Sequence, residues 1–226
     1  MPPKKRTSRD AIARAERMIE DAMWTAQEKN DPQTELDSYL EARAILESLS
    51  TTSEKEEKER NRVLAYCLMR LDEALVNMGD DHDAVKRATE ALEIARKSQD
   101  GVQIARCLLA YGVRLLNTGK LPEAEASWQE VVRMAEGSED RDMQQVLGWT
   151  FLARASLLKA KSLEKQALVL AHEAERTLAA IDNYAGLAST YNLLAKLYSA
   201  EGDTDASDEC TRKAEHYRTK AKEERK

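Results

Sequence analysis

Proline and glycine are scarce in this 226-residue chain, at four and eight residues. So little punctuation leaves no room for the frequent tight turns of a many-stranded sandwich or barrel. Aromatic residues are thin as well, 5% of the total with a single phenylalanine, which removes much of the side-chain content that sheets favour. No apolar run approaches the roughly 18–20 residues of a membrane span. The start, Met1-Pro2-Pro3-Lys4-Lys5-Arg6, has no apolar segment behind it to serve as a secretory signal. The three cysteines, Cys67, Cys107 and Cys210, are odd in number, far apart and without a C-x-x-C pair. Neither a disulfide framework nor a zinc or redox motif is therefore expected. Cys67 and Cys107 read as small buried hydrophobes, which suits a reducing cytosol. The class left standing is a soluble, cytoplasmic, nearly all-helical protein, with the basic N-terminal tail as a candidate nuclear address.

What the chain has in quantity is charge, 34% of its residues, balanced to a net −6. The balance is uneven. Residues 1–9 carry Lys4, Lys5, Arg6 and Arg9 and no acid, and residues 212–226 carry seven bases against Glu215, Glu223 and Glu224. Each end is thus +4, which leaves −14 for the body from 10 to 211. An acidic body repels phosphate backbones, so nucleic acid is not expected along the main surface. Only the two ends are basic handles, and both also read simply as solvated tails.

Three segments align around a glycine. Leu68, Leu71 and Leu75 precede Gly79, with Ala84, Ala88 and Ala91 after it. Leu108, Tyr111, Gly112 and Leu115 precede Gly119, with Ala124, Trp128 and Val131 after it. Tyr191, Leu194, Ala195 and Tyr198 precede Gly202, with Ser207, Thr211 and Ala214 after it. The spacings are 40 and then 83 residues, or two periods of about 41, and the missing member is framed by Phe151, Ala155, Leu158, Ser162, Ala167, Ala171 and Ala174. Apolar residues at three- and four-residue steps make one helix face sticky. A glycine closing the first helix can adopt the left-handed cap, and small residues early in the second let the two helices approach closely. Pro122 sits at the start of a second helix, where its missing N–H costs nothing.

This spacing resembles the tetratricopeptide repeat family in its longer-period form of about 40 residues. The resemblance covers residues 63–218 and, more loosely, 10–50, where Ile19, Ala22, Ala26, Tyr39 and Ala42 fit but Asn30-Asp31-Pro32 replaces the turn glycine. Asp72 and Arg154 depart from it, at places where the family prefers small or apolar residues. The implied fold is all-α, a right-handed solenoid of antiparallel helix pairs. The organisation expected is a basic tail (1–9), an N-terminal helix pair (10–50), four repeats (54–218) and a basic end (219–226), with a joint near 50–53. Helices are expected near 8–29, 33–49, 54–78, 81–98, 101–118, 122–136, 140–160, 163–181, 184–201 and 204–224. Ser53 followed by Glu56 has capping-box spacing and opens the third. The charged run from Glu54 to Arg60 reads as a solvated helix extension.

Chemistry requires convergent groups, and the sequence shows none. His82, His172 and His216 stand in separate repeats without an acidic or cysteine partner at ligand spacing. Gly79-Asp80-Asp81-His82-Asp83 lacks the spacing and terminal glutamate of a calcium loop. There is no phosphate loop, nucleophile elbow or dinucleotide fingerprint, so no enzyme activity, metal or cofactor is expected.

A stack of helix pairs does supply a concave surface. The resemblance implies that the first helix of each pair lines it. The lining residues are then Tyr66, Met69, Arg70, Glu73 and Asn77; Arg106, Leu109, Ala110, Val113 and Asn117; Trp149, Leu152, Ser156 and Lys159; and Ser189, Asn192, Leu193 and Lys196. Relatives that clamp the terminal carboxylates of heat-shock chaperones use Lys, Asn and Arg where this chain has Met69, Glu73, Leu109 and Val113. That role is not expected here, and the apolar centre suits an amphipathic helix or an extended segment with aliphatic anchors. The leading reading is a non-catalytic adaptor that binds a peptide or helical segment of a partner protein. Self-assembly into a homo-oligomer through terminal helix pairs is the alternative. Regulation through the basic ends, on an acidic partner or nucleic acid, is a weaker one.

Overall fold

The three- and four-residue apolar steps fold as helices throughout. The computed structural model describes residues 7–29 and 31–224, with side chains described outside 24–29. Lys4, Lys5, Arg6, Asn30, the side chain of Ala26 and the last two residues of the basic C-terminal end lie outside the described residues. Among the described residues there are ten helices and no strand: α1 (Ser8–Lys29), α2 (Pro32–Ser48), α3 (Glu54–Asn77), α4 (Ala84–Ser98), α5 (Gly101–Asn117), α6 (Leu121–Ala135), α7 (Arg141–Ala160), α8 (Glu164–Ala179), α9 (Tyr184–Glu201) and α10 (Thr204–Glu223).

The chain forms two compact units, divided between Leu115 and Leu116 in the last turn of α5. In the first, α1 packs on α2, α3 on α4 and α2 on α3, and α1 also lies beside α3. In the second, α6 packs on α7, α7 on α8, α8 on α9 and α9 on α10, with α7 beside α9. Within each unit, the first helices of successive pairs therefore form a layer of their own.

Local chemistry sets the helix ends. Ser53 Oγ accepts from the Glu56 amide at 3.2 Å, while the Glu56 carboxylate reaches back to the Thr52 amide at 3.0 Å and the Thr52 hydroxyl at 2.7 Å. The expected capping box forms, displaced by one residue. Asp31 caps α2 ahead of Pro32, and Asp140, Asn183 and Asp203 cap α7, α9 and α10 in the same way. The turn glycines Gly79, Gly119 and Gly202 are left-handed, and Ser162 takes that conformation at φ 56° in the repeat without a glycine.

Alanines fill the close crossings: Ala155, Ala167, Ala171 and Ala174 are fully buried in the core of the second unit beside Leu178, Leu187, Leu194 and Leu197. Two glycines there have a role the repeat frame did not mark. A Cβ on Gly148 would stand 2.5 Å from Leu178 Cγ, and one on Gly186 would stand 2.9 Å from the Leu178 methyls. Both positions are far inside real contact distances, so Leu178 of α8 is held between the bare backbones of α7 and α9.

The departures at Asp72 and Arg154 resolve as ion pairs. The Asp72 carboxylate, 2% exposed, accepts from Arg87 Nε of α4 at 2.9 Å and from Arg114 Nε of α5 at 2.7 Å. Arg87 also donates to the carbonyls of His82 at 2.5 Å and Asp80 at 2.7 Å, which ties down the α3–α4 turn. Helix α4 accordingly begins at Ala84, three residues later than expected. Arg154 pairs with Glu125 of α6 at 2.6 Å.

Candidate partner-binding face

On α3, Tyr66, Met69, Arg70, Glu73 and Asn77 follow helical spacing and share one face. The first three are half-buried and the last two exposed. The Tyr66 hydroxyl donates to Met23 Sδ of α1 at 3.1 Å, so this face adjoins the first helix of the preceding pair. Arg70 Nη1 pairs with Glu73 at 2.7 Å, with its side chain 19% exposed. Its Nε is the only buried side-chain nitrogen or oxygen without a hydrogen-bond partner among the described residues. Burial pushes the Tyr66 hydroxyl's pKa up, opposed by the positive charges of Arg70 and Arg106. Burial also raises the pKa of Tyr39, which donates to Glu35 at 2.7 Å beside the same arginine. On α5, Arg106, Leu109, Ala110 and Val113 are half-buried and Asn117 is exposed. The first unit thus presents a Tyr–Met–Arg strip flanked by an acid and a second arginine.

The corresponding residues of the second unit divide. Trp149 is half-buried against the core. Leu152, expected to line a groove, is 8% exposed and belongs to the core, as does Leu193. Helix α7 is apolar nearly all round in this stretch, so Leu152 supplies packing. Ser156 and Ser189 return their hydroxyls to the carbonyls of Leu152 and Ala185 in their own helices. Lys159 and Asn192 are half-buried and Lys196 exposed.

A cavity of about 670 Å³ in the first unit is lined by none of these residues. It lies among α1, the start of α3 and the α4–α5 turn, where Arg62 is fixed between Glu16 at 2.6 Å and Glu59 at 2.8 Å.

His172 has the acidic partner that the sequence did not reveal. Its Nδ1 lies 2.9 Å from Glu175 and its Nε2 lies 3.1 Å from the Tyr198 hydroxyl. Glu175 also accepts from the Tyr191 hydroxyl, so the group ties α8 to α9. His82 lies 3.3 Å from Asp83 with its side chain 88% exposed. No three His, Cys, Asp or Glu side chains gather as a metal would require, and no helix is long and apolar enough to cross a membrane, among the described residues.

A Podosopora anserina kinesin light chain of nearly identical TPR-like repeats superimposes with a TM-score of 0.57 at 15% identity, over 93% of this chain and 97% of that one. The chain has the tetratricopeptide-like repeat fold. Two further structures superimpose over most of the chain. Aspartyl phosphate phosphatase F from Bacillus subtilis matches with a TM-score of 0.67 at 16% identity over 90% of this chain. The chain spans half the length of that phosphatase. BtubC from P. vanneervenii matches with a TM-score of 0.56 at 19% identity, over 96% of this chain and 92% of that one. In sequence, the profile of anaphase-promoting complex subunit 5 matches residues 9–42 and 38–118, less than half of the repeat chain. No curated protein sequence matches it.

Proposed function

We propose that this repeat protein is a non-catalytic adaptor whose first-helix faces hold a peptide or helical segment of a partner protein. The observation that carries the reading is the α3 strip, where Tyr66, Met69 and Arg70 lie side by side, half-buried. Aromatic, methionine and arginine side chains are enriched at the centres of protein interfaces. The positive charge of Arg70 also favours a segment that brings an acidic group. Helix pairs offer such faces without any reacting group. The three cysteines are free thiols, in keeping with a reducing, cytoplasmic setting.

Affinity capture by the full chain from a lysate, read by mass spectrometry, tests the reading against Met69→Asp and Arg70→Glu. The expected result is one protein retained by the parent and lost from both variants, with circular dichroism melting curves that stay cooperative. Equal retention by all three forms removes the α3 strip as the binding face.

A further inference from the structure

The second unit holds a shallow, open cavity of about 480 Å³ at its surface, lined by Lys159 of α7, Ala195, Lys196, Ser199 and Ala200 of α9, and Ser207 and Thr211 of α10. Its chemistry is one-sided. Two lysines and three hydroxyl-bearing residues line it and no acidic residue does, in a chain where acids outnumber bases by 41 to 35. Neither lysine has an ion-pair partner among the described residues. Three other cations of the unit are ion-paired, Arg154 with Glu125, Arg176 with Glu173 and Lys213 with Glu209, whereas Lys161 and Lys165 have no such partner among the described residues. A cation in the last turn of a helix is favoured by the helix dipole. That accounts for Lys159, one residue from the end of α7, but not for Lys196, which stands more than a turn before the end of α9.

The hydroxyls shape the floor. Ser207 donates to the Ala195 carbonyl at 3.0 Å and Thr211 donates to the Ser207 carbonyl at 3.0 Å, which fixes both rotamers. No aromatic or large aliphatic side chain lines the cavity, so a nucleotide base would find nothing to stack on. An oxyanion that brings no apolar group fits better. Two uncompensated ammonium groups match a phosphate monoester, which carries about −1.5 to −2 at neutral pH, more closely than a single carboxylate. Lysine also suits it as a point charge that needs no bidentate geometry.

We propose that this cavity receives the phosphate of a phosphorylated side chain on a partner segment, held by Lys159 and Lys196. The proposal rests on the reading of the repeat faces as protein-binding. It adds a second contact in the other unit, one that responds to modification of the partner.

The test is a ¹⁵N–¹H NMR titration of the full chain with inorganic phosphate, then with phosphoserine and with acetate, at constant ionic strength in chloride. The expected result is saturable shifts confined to amides around the cavity at 159, 195–200 and 207–211. In Lys159→Ala/Lys196→Ala the dissociation constant should rise at least about tenfold, with the rest of the spectrum unchanged. Shifts that do not saturate, that spread over all ten helices or that persist in the double variant overturn the proposal. Acetate saturating as tightly as phosphate also overturns it, by assigning the cavity to carboxylates. Because the ions are tested without a partner, these outcomes are separate from loss of protein capture through Met69 and Arg70.

Discussion

Replacing Asp72 by alanine would leave the Arg87 and Arg114 guanidinium groups, 22% and 11% exposed, converging without a counter-charge. Removing one side of a buried ion pair costs about 3–5 kcal/mol, because the remaining charge stays desolvated. Arg87 can partly turn to water, so the lower end applies, about 3 kcal/mol. With a urea dependence of ~2 kcal/mol per molar, the unfolding midpoint should fall by ~1.5 M. Asp72→Asn keeps one acceptor oxygen but turns N–H groups toward a guanidinium, and should fall between the parent and alanine. The triple variant Asp72→Leu/Arg87→Met/Arg114→Met removes all three charges and should recover part of the loss. Recovery should stop short of complete, because Arg87 also holds the His82 and Asp80 carbonyls. Urea unfolding followed by circular dichroism reads all four forms. An alanine variant whose midpoint falls by less than about 0.5 M, near ~1 kcal/mol at that slope, would show that the triad is solvated and refute the reasoning.

Burial pushes the Cys67 and Cys107 thiols up from 9.0 to about 12. Both should resist a disulfide exchange reagent at pH 8 until urea unfolds the chain, and rapid labelling of native protein at these two sites would contradict that. The native state keeps these protons where the unfolded state releases them, so their contribution is whole below pH 9 and falls as pH rises toward 12. The slope is about 1.4 kcal/mol per pH unit for each thiol, and Cys67→Ala/Cys107→Ala should flatten it in urea midpoints taken across that range. Ala124 is fully buried, so Ala124→Leu should cost about 1–3 kcal/mol by overpacking and lower the melting temperature. Lys58→Ala, which removes only an exposed pair with Glu54, should leave it unchanged; equal effects at the two sites would break the repeat register. Leu152→Asp should unfold the second unit, whereas Trp149→Ala should cost less than the ~3–5 kcal/mol of a fully buried tryptophan. Comparable melting losses would place Trp149 wholly in the core.

Helix positions were legible because a 3.6-residue period, a left-handed turn residue and small residues at crossings are all local signals. They even located the repeat that uses Ser162 in place of glycine. The ion pairs were not legible. Asp72 meets Arg114 across 42 residues and Arg154 meets Glu125 across 29, so each side chain looked like a departure until its partner was brought beside it. His172 was missed for a smaller reason: a glutamate three residues on faces the same way on a helix, yet Tyr198 comes from the next one. The candidate face was legible where α3 is amphipathic, with half-buried Tyr66, Met69 and Arg70 in sequence order. It blurred on α7, where Trp149, Phe151, Leu152, Leu157 and Leu158 point around most of the helix and periodicity cannot choose which of them is sealed.

The clasp of Leu178 between Gly148 and Gly186 bears on how such a sequence can drift. A methyl group added at either glycine collides with the leucine, and a shorter residue at 178 leaves a void between two backbones that have no side chains to fill it. The three positions are therefore free to change only together. Gly148 and Gly186 lie 30 residues before and eight after the leucine, a fixed triple that a search for divergent chains with this arrangement of α7, α8 and α9 can require even where the alanine frame has decayed.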